Sequence, residues 1–262
     1  MQLNIQFINA FTDTLFKGNS AAVIMLEQWL NNDLMQAIAT ENMLAETAFI
    51  IKLSDGRYHI RWFSPLTEID FCGHASLASA YVLFNKNKSL SSLVFHADAV
   101  GDFNIEKEGD FITMNFPLMM PEPVAEIPDL LLDGLSIKPA QVLKNTQAYF
   151  AVYENEEDVI NVMQNVDKIK QLAPLDVVVT STSKRYDFIS RYFWPANGGD
   201  EDPVTGSIHA GLAPYWSKRL RVTSLLARQA SYRGGLLKCT VLNERVLVSG
   251  KAVKYLSGTI DV

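Results

Sequence analysis

The stretch DFCGHAS at residues 70–76 has a counterpart half a chain away, EDPVTGSIHA at residues 201–210. Each stretch places acidic residues before a glycine and a polar residue, and each leads into an apolar segment, at residues 77–84 and 212–216. A helix that is apolar on all sides must be buried. Because Gly73 and Gly206 are separated by about half of the 262-residue chain, the sequence predicts two similar halves, each built around a buried helix.

The start of a buried helix is also a candidate binding feature. Its first backbone N–H groups have no partner within the helix and carry a partial positive charge. A glycine at that position lets a ligand approach the backbone closely. Two such helix starts, at Gly73 and Gly206, predict one anion-binding cleft between the two halves.

The composition is that of an ordinary globular protein, with 48% hydrophobic and 20% charged residues. The net charge is −6 and no cluster of lysine and arginine is longer than a pair, which argues against a nucleic-acid partner. No run of about 18 apolar residues is present, so no membrane partner is expected. Met1 to Ala10 lack the features of a signal peptide, and two cysteines are too few for a disulfide framework, so we expect a cytoplasmic protein.

The order of predicted elements favours an α+β fold. Strands are interrupted by helices without regular alternation, which predicts a mostly antiparallel sheet rather than a doubly wound parallel one. The expected strands cover residues 3–8, 47–52, 58–63, 94–96, 100–106, 111–116, 149–153, 177–180 and 188–194, with a hairpin at 236–242 and 245–249. The expected helices run from Asn32 or Asp33 to about Thr40, over 75–84 and over 156–164.

A proline-rich segment, residues 117–128, predicts the boundary between the two halves. The N-terminal lobe is expected over residues 1–118, with its central helix after Gly73. The C-terminal lobe is expected over residues 119–262, with its central helix after Gly206. The last strand is the one element that could instead pack on the N-terminal lobe.

Glu46 is a lone carboxylate in front of the apolar segment 47–50. One interpretation is a solvated charge at the end of a strand, or a glutamate near the C-terminus of a helix, with no chemical role. The other is a general acid or base, because a carboxyl group among apolar neighbours suits proton transfer. The sequence alone leaves both interpretations open.

His74 and Asp202 are ambiguous in a similar way. His74 either caps the first turn of a helix or faces a substrate as a neutral imidazole, because a helix N-terminus disfavours the imidazolium. Asp202 could stabilise a helix start by about 0.3–1 kcal/mol without any other function. Three consecutive acids at residues 200–202 repel one another, which favours a role beyond capping.

Cys72 lies just ahead of a helix start, which is expected to lower the pKa of its thiol and favour a nucleophile. Alternatively it is a small buried side chain. The four histidines show no His-x-x-x-His spacing and the cysteines no Cys-x-x-Cys spacing, so no metal site is expected. Dinucleotide-binding, P-loop and Gly-x-Ser-x-Gly patterns are also missing, and no cofactor is expected.

Seven segments of the chain resemble the PhzF-like family of phenazine-biosynthesis isomerases. They are NAFTD at 9–13, GNSAAV at 18–23, ETAF at 46–49, RWFSP at 61–65, CGHAS at 72–76, EDPVTGS at 201–207 and QASYRGG at 229–235. The resemblance implies a diaminopimelate-epimerase-like fold. In that fold two pseudo-symmetric lobes each wrap a sheet or barrel around a central helix, and the active site lies between the lobes.

The resemblance also implies roles in a biosynthetic isomerase that acts on a small carboxylate-bearing metabolite. Glu46 corresponds to the carboxylate that shuttles a proton, and His74 and Asp202 correspond to residues that hold the substrate and assist its proton movement. The residues expected to bind the substrate, in part as helix-start donors to its carboxylate, are Asn19, Gly73, Ser76, Thr205, Gly206 and Ser207.

Three functions are compatible with these residues. The first is a cofactor-independent isomerase driven by Glu46. The second is an amino-acid epimerase or racemase that uses Cys72 with Asp202 or Glu46 as an unequal pair. The third is a metabolite-binding protein without catalysis. The related racemases use two cysteines that face each other across the substrate, and here Thr205 takes the second position. A threonine hydroxyl does not remove a carbon-bound proton unaided, which favours the isomerase. Exposed strand edges could support a homodimer.

Overall fold

The first apolar segment forms a central helix, as predicted. The computed structural model describes residues 1–262, and its contacts divide the chain into two units. The first unit comprises Met1–Asn115 and Ser249–Val262, and the second comprises Phe116–Val248. The C-terminal strand therefore belongs to the first unit, where it pairs along the full length of the N-terminal strand.

The first unit contains nine strands and two helices. The strands are β1 (Gln2–Ala10), β2 (Asn19–Leu26), β3 (Glu46–Lys52), β4 (Tyr58–Phe63), β5 (Glu68–Ile69), β6 (Ser92–Ala97), β7 (Gly101–Glu108), β8 (Phe111–Pro117, which ends just past the unit boundary) and β18 (Ala252–Asp261). The helices are α1 (Asn32–Asn42) and α2 (Gly73–Lys86).

The second unit contains the remaining elements. Its strands are β9 (Glu122–Pro123), β10 (Gln141–Lys144), β11 (Ala148–Val152), β12 (Asp176–Thr182), β13 (Phe188–Trp194), β14 (Gly199–Asp202), β15 (Ser224–Gln229), β16 (Gly235–Val241) and β17 (Arg245–Gly250, which ends in the first unit). Its helices are α3 (Asp129–Gly134), α4 (Glu156–Asn161), α5 (Val166–Ile169), a 3₁₀ turn (Lys170–Leu172) and α6 (His209–Leu220).

The two units repeat one strand order. In the first, β2 pairs parallel with β3, β3 antiparallel with β4, β4 parallel with β6, and β6 antiparallel with β7. In the second, β11, β12, β13, β15 and β16 follow the same sequence of parallel and antiparallel pairs. A short strand, β5 or β14, pairs with the middle strand just before the main helix of each unit. The repeat read from the sequence is confirmed, and the fold is α+β.

Each main helix is buried because its residues are apolar or small on nearly all sides. In α2 all residues from Gly73 to Ala80 are buried, and the helix contacts β1, β2, β3 and β18. In α6 all residues from His209 to Trp216 are buried, and the helix contacts β15 and β16. None of the helices combines the length and apolar character that crossing a membrane requires.

Helix α6 contains a proline, Pro214, without being broken. A proline has no N–H to donate to the carbonyl four residues earlier, which here belongs to Ala210. The N–H of Met119 donates to this carbonyl at 3.0 Å instead. The lost helical hydrogen bond is therefore replaced within the same unit, and α6 continues to Leu220.

Candidate active site

Glu46 is a buried carboxylate with one charged partner. It is the first residue of β3, which follows α1 after Met43 takes a left-handed conformation with φ of 50°. Only 4% of Glu46 is exposed. Its Oε2 lies 2.8 Å from Nε2 of His74. The interpretation of Glu46 as a solvated strand-end charge is therefore wrong.

Two further side chains reach the same histidine. Cys72 precedes α2 as its N-cap residue, and its Sγ lies 3.4 Å from Nδ1 of His74. Asn19 is the first residue of β2, and its Nδ2 lies 3.1 Å from the same nitrogen. Because β2 and β3 are parallel neighbours and α2 packs on both, residues far apart in sequence form one buried polar cluster: Asn19, Glu46, Cys72 and His74.

The protonation of His74 differs from the expectation. A helix N-terminus was expected to keep the imidazole neutral. Burial also favours the neutral form, but neighbouring negative charge outweighs it and raises the pKa of His74 well above its usual value; near neutral pH that charge is the carboxylate of Glu46. The close carboxylate matters more than the helix end, because it is a full charge within hydrogen-bond distance.

Cys72 also departs from the expectation, in the opposite direction. Burial, followed by the negative charge of Glu46, raises the pKa of its thiol to about 11. The positive end of α2 does not overcome these two effects. Cys72 is therefore a protonated thiol near neutral pH and not an activated thiolate.

Gly73 and Ser76 lie in the first turn of α2. Gly73 is the first helical residue. Ser76 is fully buried, and its hydroxyl donates to the carbonyl of Cys72 at 2.6 Å. The backbone N–H of Ser76 reaches the same carbonyl at 3.0 Å. In this structure the Ser76 side chain thus stabilises the start of the helix that carries His74.

In the second unit, Asp202 and Thr205 lie in a tight turn that the buried side-chain amide of Gln229 holds together. Asp202 ends β14 and is 7% exposed. The hydroxyl of Thr205 donates to the Asp202 carboxylate. Gln229 donates from Nε2 to the carbonyl of Asp202 at 2.9 Å and accepts from the backbone N–H of Thr205 at 2.8 Å. The carboxylate is thereby held in one place.

The structure corrects the prediction that the second main helix begins at Gly206. Helix α6 begins only at His209. Residues 206–208 form a tighter turn. In it the N–H of His209 donates to the carbonyl of Gly206 at 3.2 Å, and the N–H of Ala210 donates to the carbonyl of Ser207 at 3.0 Å. The Ser207 hydroxyl accepts from Nε2 of Gln147 at 2.9 Å. The two motifs are therefore similar in sequence but not identical in how they enter their helices.

Gln229 and His209 were not identified as functional candidates by the sequence. Gln229 is the last inward position of β15, whose residues alternate between exposed and buried. A polar residue at an inward position of an alternating strand was the available signal. His209 donates from Nδ1 to the carbonyl of Thr205 at 2.9 Å and so supports the same turn. It gave no signal beyond its place three residues after Gly206.

Two groups of side chains bring together three potential metal ligands each. One is Glu46, Cys72 and His74; the other is His59, His96 and Asp98. In each group the potential ligand atoms lie within 4.8 Å of one another. Sequence spacing indicated neither group, because strand pairing and a helix start bring their members together.

The comparisons with known proteins agree along the whole chain. The sequence model of the phenazine biosynthesis-like protein family, PhzC-PhzF, matches residues 8–258. An uncharacterized isomerase from Pseudomonas aeruginosa is 46% identical over 262 residues and covers 100% of both chains. A crystal structure of a PhzF-family protein from Enterococcus faecalis superimposes with a TM-score of 0.95 and 39% identity, over 100% of both chains.

A more distant structure shares the fold. A hydroxyproline epimerase from Agrobacterium vitis, solved with bound trans-4-hydroxy-L-proline, has a TM-score of 0.62 at 9% identity. The match covers 99% of this chain and 92% of that one. With the sequence match spanning nearly all residues and with close relatives of the same length, the chain belongs to the phenazine biosynthesis-like (PhzC-PhzF) protein family.

Proposed function

We propose that the protein is an isomerase that moves a proton between two carbon atoms of a small carboxylate-bearing metabolite. The observation that carries the proposal is the buried pair of Glu46 and His74, with Oε2 and Nε2 2.8 Å apart. A carboxylate and an imidazole in contact share a mobile proton, and burial keeps water from competing for it. The isomerase name of the relative from Pseudomonas aeruginosa supports the same reaction class.

In the proposed reaction Glu46 acts as the base. Its carboxylate takes a proton from an acidic carbon of the substrate, and the released electron pair moves into the adjacent conjugated group. The same proton then returns to a different carbon on the same face of the substrate. His74, with its raised pKa and its Nε2 2.8 Å from Oε2, stabilises the ionised carboxylate before the first step and again after the second.

The substrate carboxylate is proposed to bind at the N-terminus of α2. Gly73 is the first residue of this helix, and no side-chain cap hydrogen bond closes its N-terminus. The backbone N–H groups there stabilise negative charge that develops during proton removal. Asp202, Thr205, Gly206 and Ser207 are proposed as further substrate-binding residues. The rigid turn that Gln229 closes supports this role, because it fixes the Asp202 carboxylate.

An epimerase that uses Cys72 is the second candidate. The 3.4 Å contact between Sγ and Nδ1 of His74 favours it, because the charge of the protonated ring lowers the pKa of the thiol. The raised pKa of the thiol, about 11, argues against it. The two candidates predict opposite results for variants of Glu46 and Cys72.

Deuterium exchange tests both candidates. The protein would be incubated in deuterium oxide with a panel of amino acids, hydroxy acids and cyclic dienes that bear carboxylates, and label uptake read by mass spectrometry. We expect Glu46→Gln to reduce uptake by about 10²–10⁴-fold, the usual contribution of one general base. Cys72→Ala should keep most of it. Thermal melts of both variants serve as controls for folding.

The possible outcomes separate the functions. Loss of uptake in Cys72→Ala with normal uptake in Glu46→Gln would overturn the isomerase and establish the epimerase. Tight binding of a panel member without any exchange in the wild type would indicate a metabolite-binding protein. A small-molecule partner, a homodimer and a cytoplasmic location remain part of the proposal. Sedimentation analysis tests the homodimer directly.

A further inference from the structure

The parallel pairing of β4 and β6 sets two histidines side by side. His59 and His96 are direct partners in the register of these strands. Their rings are 5.1 Å apart between centroids and inclined by 69°. Neither residue belongs to the Glu46 cluster, and the proposed isomerase reaction uses neither.

An aspartate completes a group of three around one point. Asp98 follows β6 in the turn that leads to β7, where the N–H of Val100 donates to Ala97 at 3.2 Å. Oδ1 of Asp98 lies 3.2 Å from Nε2 of His59 and 3.8 Å from Nε2 of His96. The Asp98 side chain is 79% exposed, so an ion can reach it from solvent.

These distances suit a tetrahedral metal ion. Zinc binds imidazole nitrogen and carboxylate oxygen at about 2.0–2.2 Å, which places neighbouring ligand atoms roughly 3.3–3.5 Å apart. The two measured separations, 3.2 and 3.8 Å, lie on either side of that range. Shifts of a few tenths of an ångström in the exposed Asp98 side chain would equalise them.

A second carboxylate orients one of the histidines. Oδ1 of Asp102 lies 2.7 Å from Nδ1 of His96. A carboxylate accepts hydrogen bonds, so Nδ1 carries the proton and Nε2 keeps its lone pair on the side of Asp98. Arg57 in turn donates from Nη1 to both oxygens of Asp102 at 2.8 Å. Histidine ligands of metals usually have such a carboxylate partner on the second ring nitrogen.

We propose that His59, His96 and Asp98 form a binding site for a divalent transition-metal ion of the zinc type, with Asp102 as a positioning residue. Two imidazoles and one carboxylate leave at least one coordination position for water. The bound ion would connect β4, β6 and the turn before β7. It would therefore stabilise the first unit by an amount that grows with the logarithm of the metal concentration above the Kd.

Titration with Zn²⁺ alone, followed by calorimetry, tests the proposal on the full chain. We expect one saturable site in the wild type. Saturable binding should be lost in His59→Asn, His96→Asn and Asp98→Asn. Asp102→Asn should weaken binding by about 10–100-fold, the usual effect of removing the partner of a histidine ligand. Mg²⁺ should not bind, because imidazole favours zinc, nickel and copper over magnesium.

Controls separate this site from the other candidate group. Cys72→Ala should bind Zn²⁺ as the wild type does, and bound Co²⁺ should show no sulfur-to-metal charge-transfer absorption. Zn²⁺ should raise the melting temperature of the wild type but not of His96→Asn. Trp29 lies edge-on to His59, with ring centroids 5.1 Å apart, so Co²⁺ bound at this site should quench the fluorescence of Trp29. This quenching should be absent in Trp29→Phe.

Two results would overturn the proposal. One is the lack of saturable Zn²⁺ binding by the wild type. The other is binding that survives His96→Asn and disappears in Cys72→Ala, which would assign the ion to Glu46, Cys72 and His74. The first result leaves the isomerase proposal unchanged, and the second would place an ion on its proposed base. The deuterium-exchange experiment tests the isomerase reaction separately in metal-free buffer.

Discussion

Oε2 of Glu46 and Nε2 of His74 form a 2.8 Å ion pair in which both side chains are more than nine-tenths buried. A buried charge without a partner is costly, and the carboxylate of Glu46 favours the protonated form of His74. The pair joins the first residue of β3 to the first turn of α2. The chemistry of the candidate site and the packing of the first unit therefore depend on the same contact.

Removal of the Glu46 charge should lower the pKa of His74. Glu46→Gln keeps the shape of the side chain but removes the ionised neighbour that raises this pKa. The imidazole should lose its proton at a lower pH than in the wild type. NMR titration of the imidazole nitrogens measures this, with the His74 signal assigned from its loss in His74→Asn. An unchanged titration would mean that Glu46 does not stabilise the imidazolium.

The same pair has a consequence for stability. A histidine whose pKa is raised on folding contributes stability that is fully present below its unfolded value, near 6.5. That contribution is lost as the pH rises through the folded pKa of His74. Glu46→Gln should therefore lower the free energy of unfolding more at pH 6 than at alkaline pH, as urea unfolding at the two pH values would measure.

Gln229 should be a large contributor to the stability of the second unit. It is fully buried and satisfies the N–H of Thr205 and the carbonyl of Asp202. Gln229→Ala leaves both backbone groups without this partner, which should cost about 2–3 kcal/mol in urea unfolding. The matched control is the exposed Gln171, where alanine should cost less than about 0.5 kcal/mol. Equal effects of the two variants would contradict this assignment.

Thr180 should be needed for its hydroxyl rather than its size. The hydroxyl accepts from the indole N–H of Trp216 at 3.0 Å and donates to the carbonyl of Ile189 at 2.7 Å. Thr180→Val keeps the shape of the side chain but leaves the Trp216 N–H and the Ile189 carbonyl in the core without this partner. It should lower the free energy of unfolding by about 1–3 kcal/mol. Thr180→Ser keeps the hydroxyl and should cost less than valine does. The reverse order in thermal unfolding would show that packing decides this position.

Regular hydrophobic patterns predicted the strands well, and tertiary packing decided what the patterns missed. The strands over 58–63 and 188–194 were predicted with their observed bounds. The helix predicted over 156–164 instead ends at Asn161. Val162 there turns extended, with ψ of 130°, and packs in the core of the second unit. Helix α1 is capped by Asn31, which accepts from Leu34, and not by Asn32 or Asp33.

The candidate residues of the site could be read from the sequence, but their interactions could not. Glu46, His74 and Cys72 stood out beside apolar segments. Their contacts depend on the parallel register of β2 and β3 and on how α2 packs against both strands. The sequence predicted a lowered pKa for the Cys72 thiol, but the pKa is raised, because the effect of burial exceeds that of a helix end. Local sequence reveals the helix end but not the depth of burial.

His209 should make the protein sensitive to mild acid. It is fully buried, and burial lowers its pKa from 6.5 to about 4. Below pH 6.5 the unfolded chain takes up a proton at this residue, whereas the folded protein stays neutral there until about pH 4. The unfolded state then binds more protons, so the free energy of unfolding falls as the pH falls through this window, by about 3 kcal/mol in total.

A variant without a titrating ring isolates this effect. His209→Gln is neutral at all these pH values and retains a donor for the Thr205 carbonyl. Urea unfolding at pH 7 and at pH 4.5 gives the fall in the free energy of unfolding between these two pH values. This fall should be smaller in His209→Gln than in the wild type, by about 2–3 kcal/mol. Phe188→Leu is the matched control, because it removes the ring packed 5.8 Å from His209 without adding or removing a titrating group. It should lower stability by a similar amount at both pH values. A His209→Gln variant with the pH dependence of the wild type would assign the acid sensitivity to other groups.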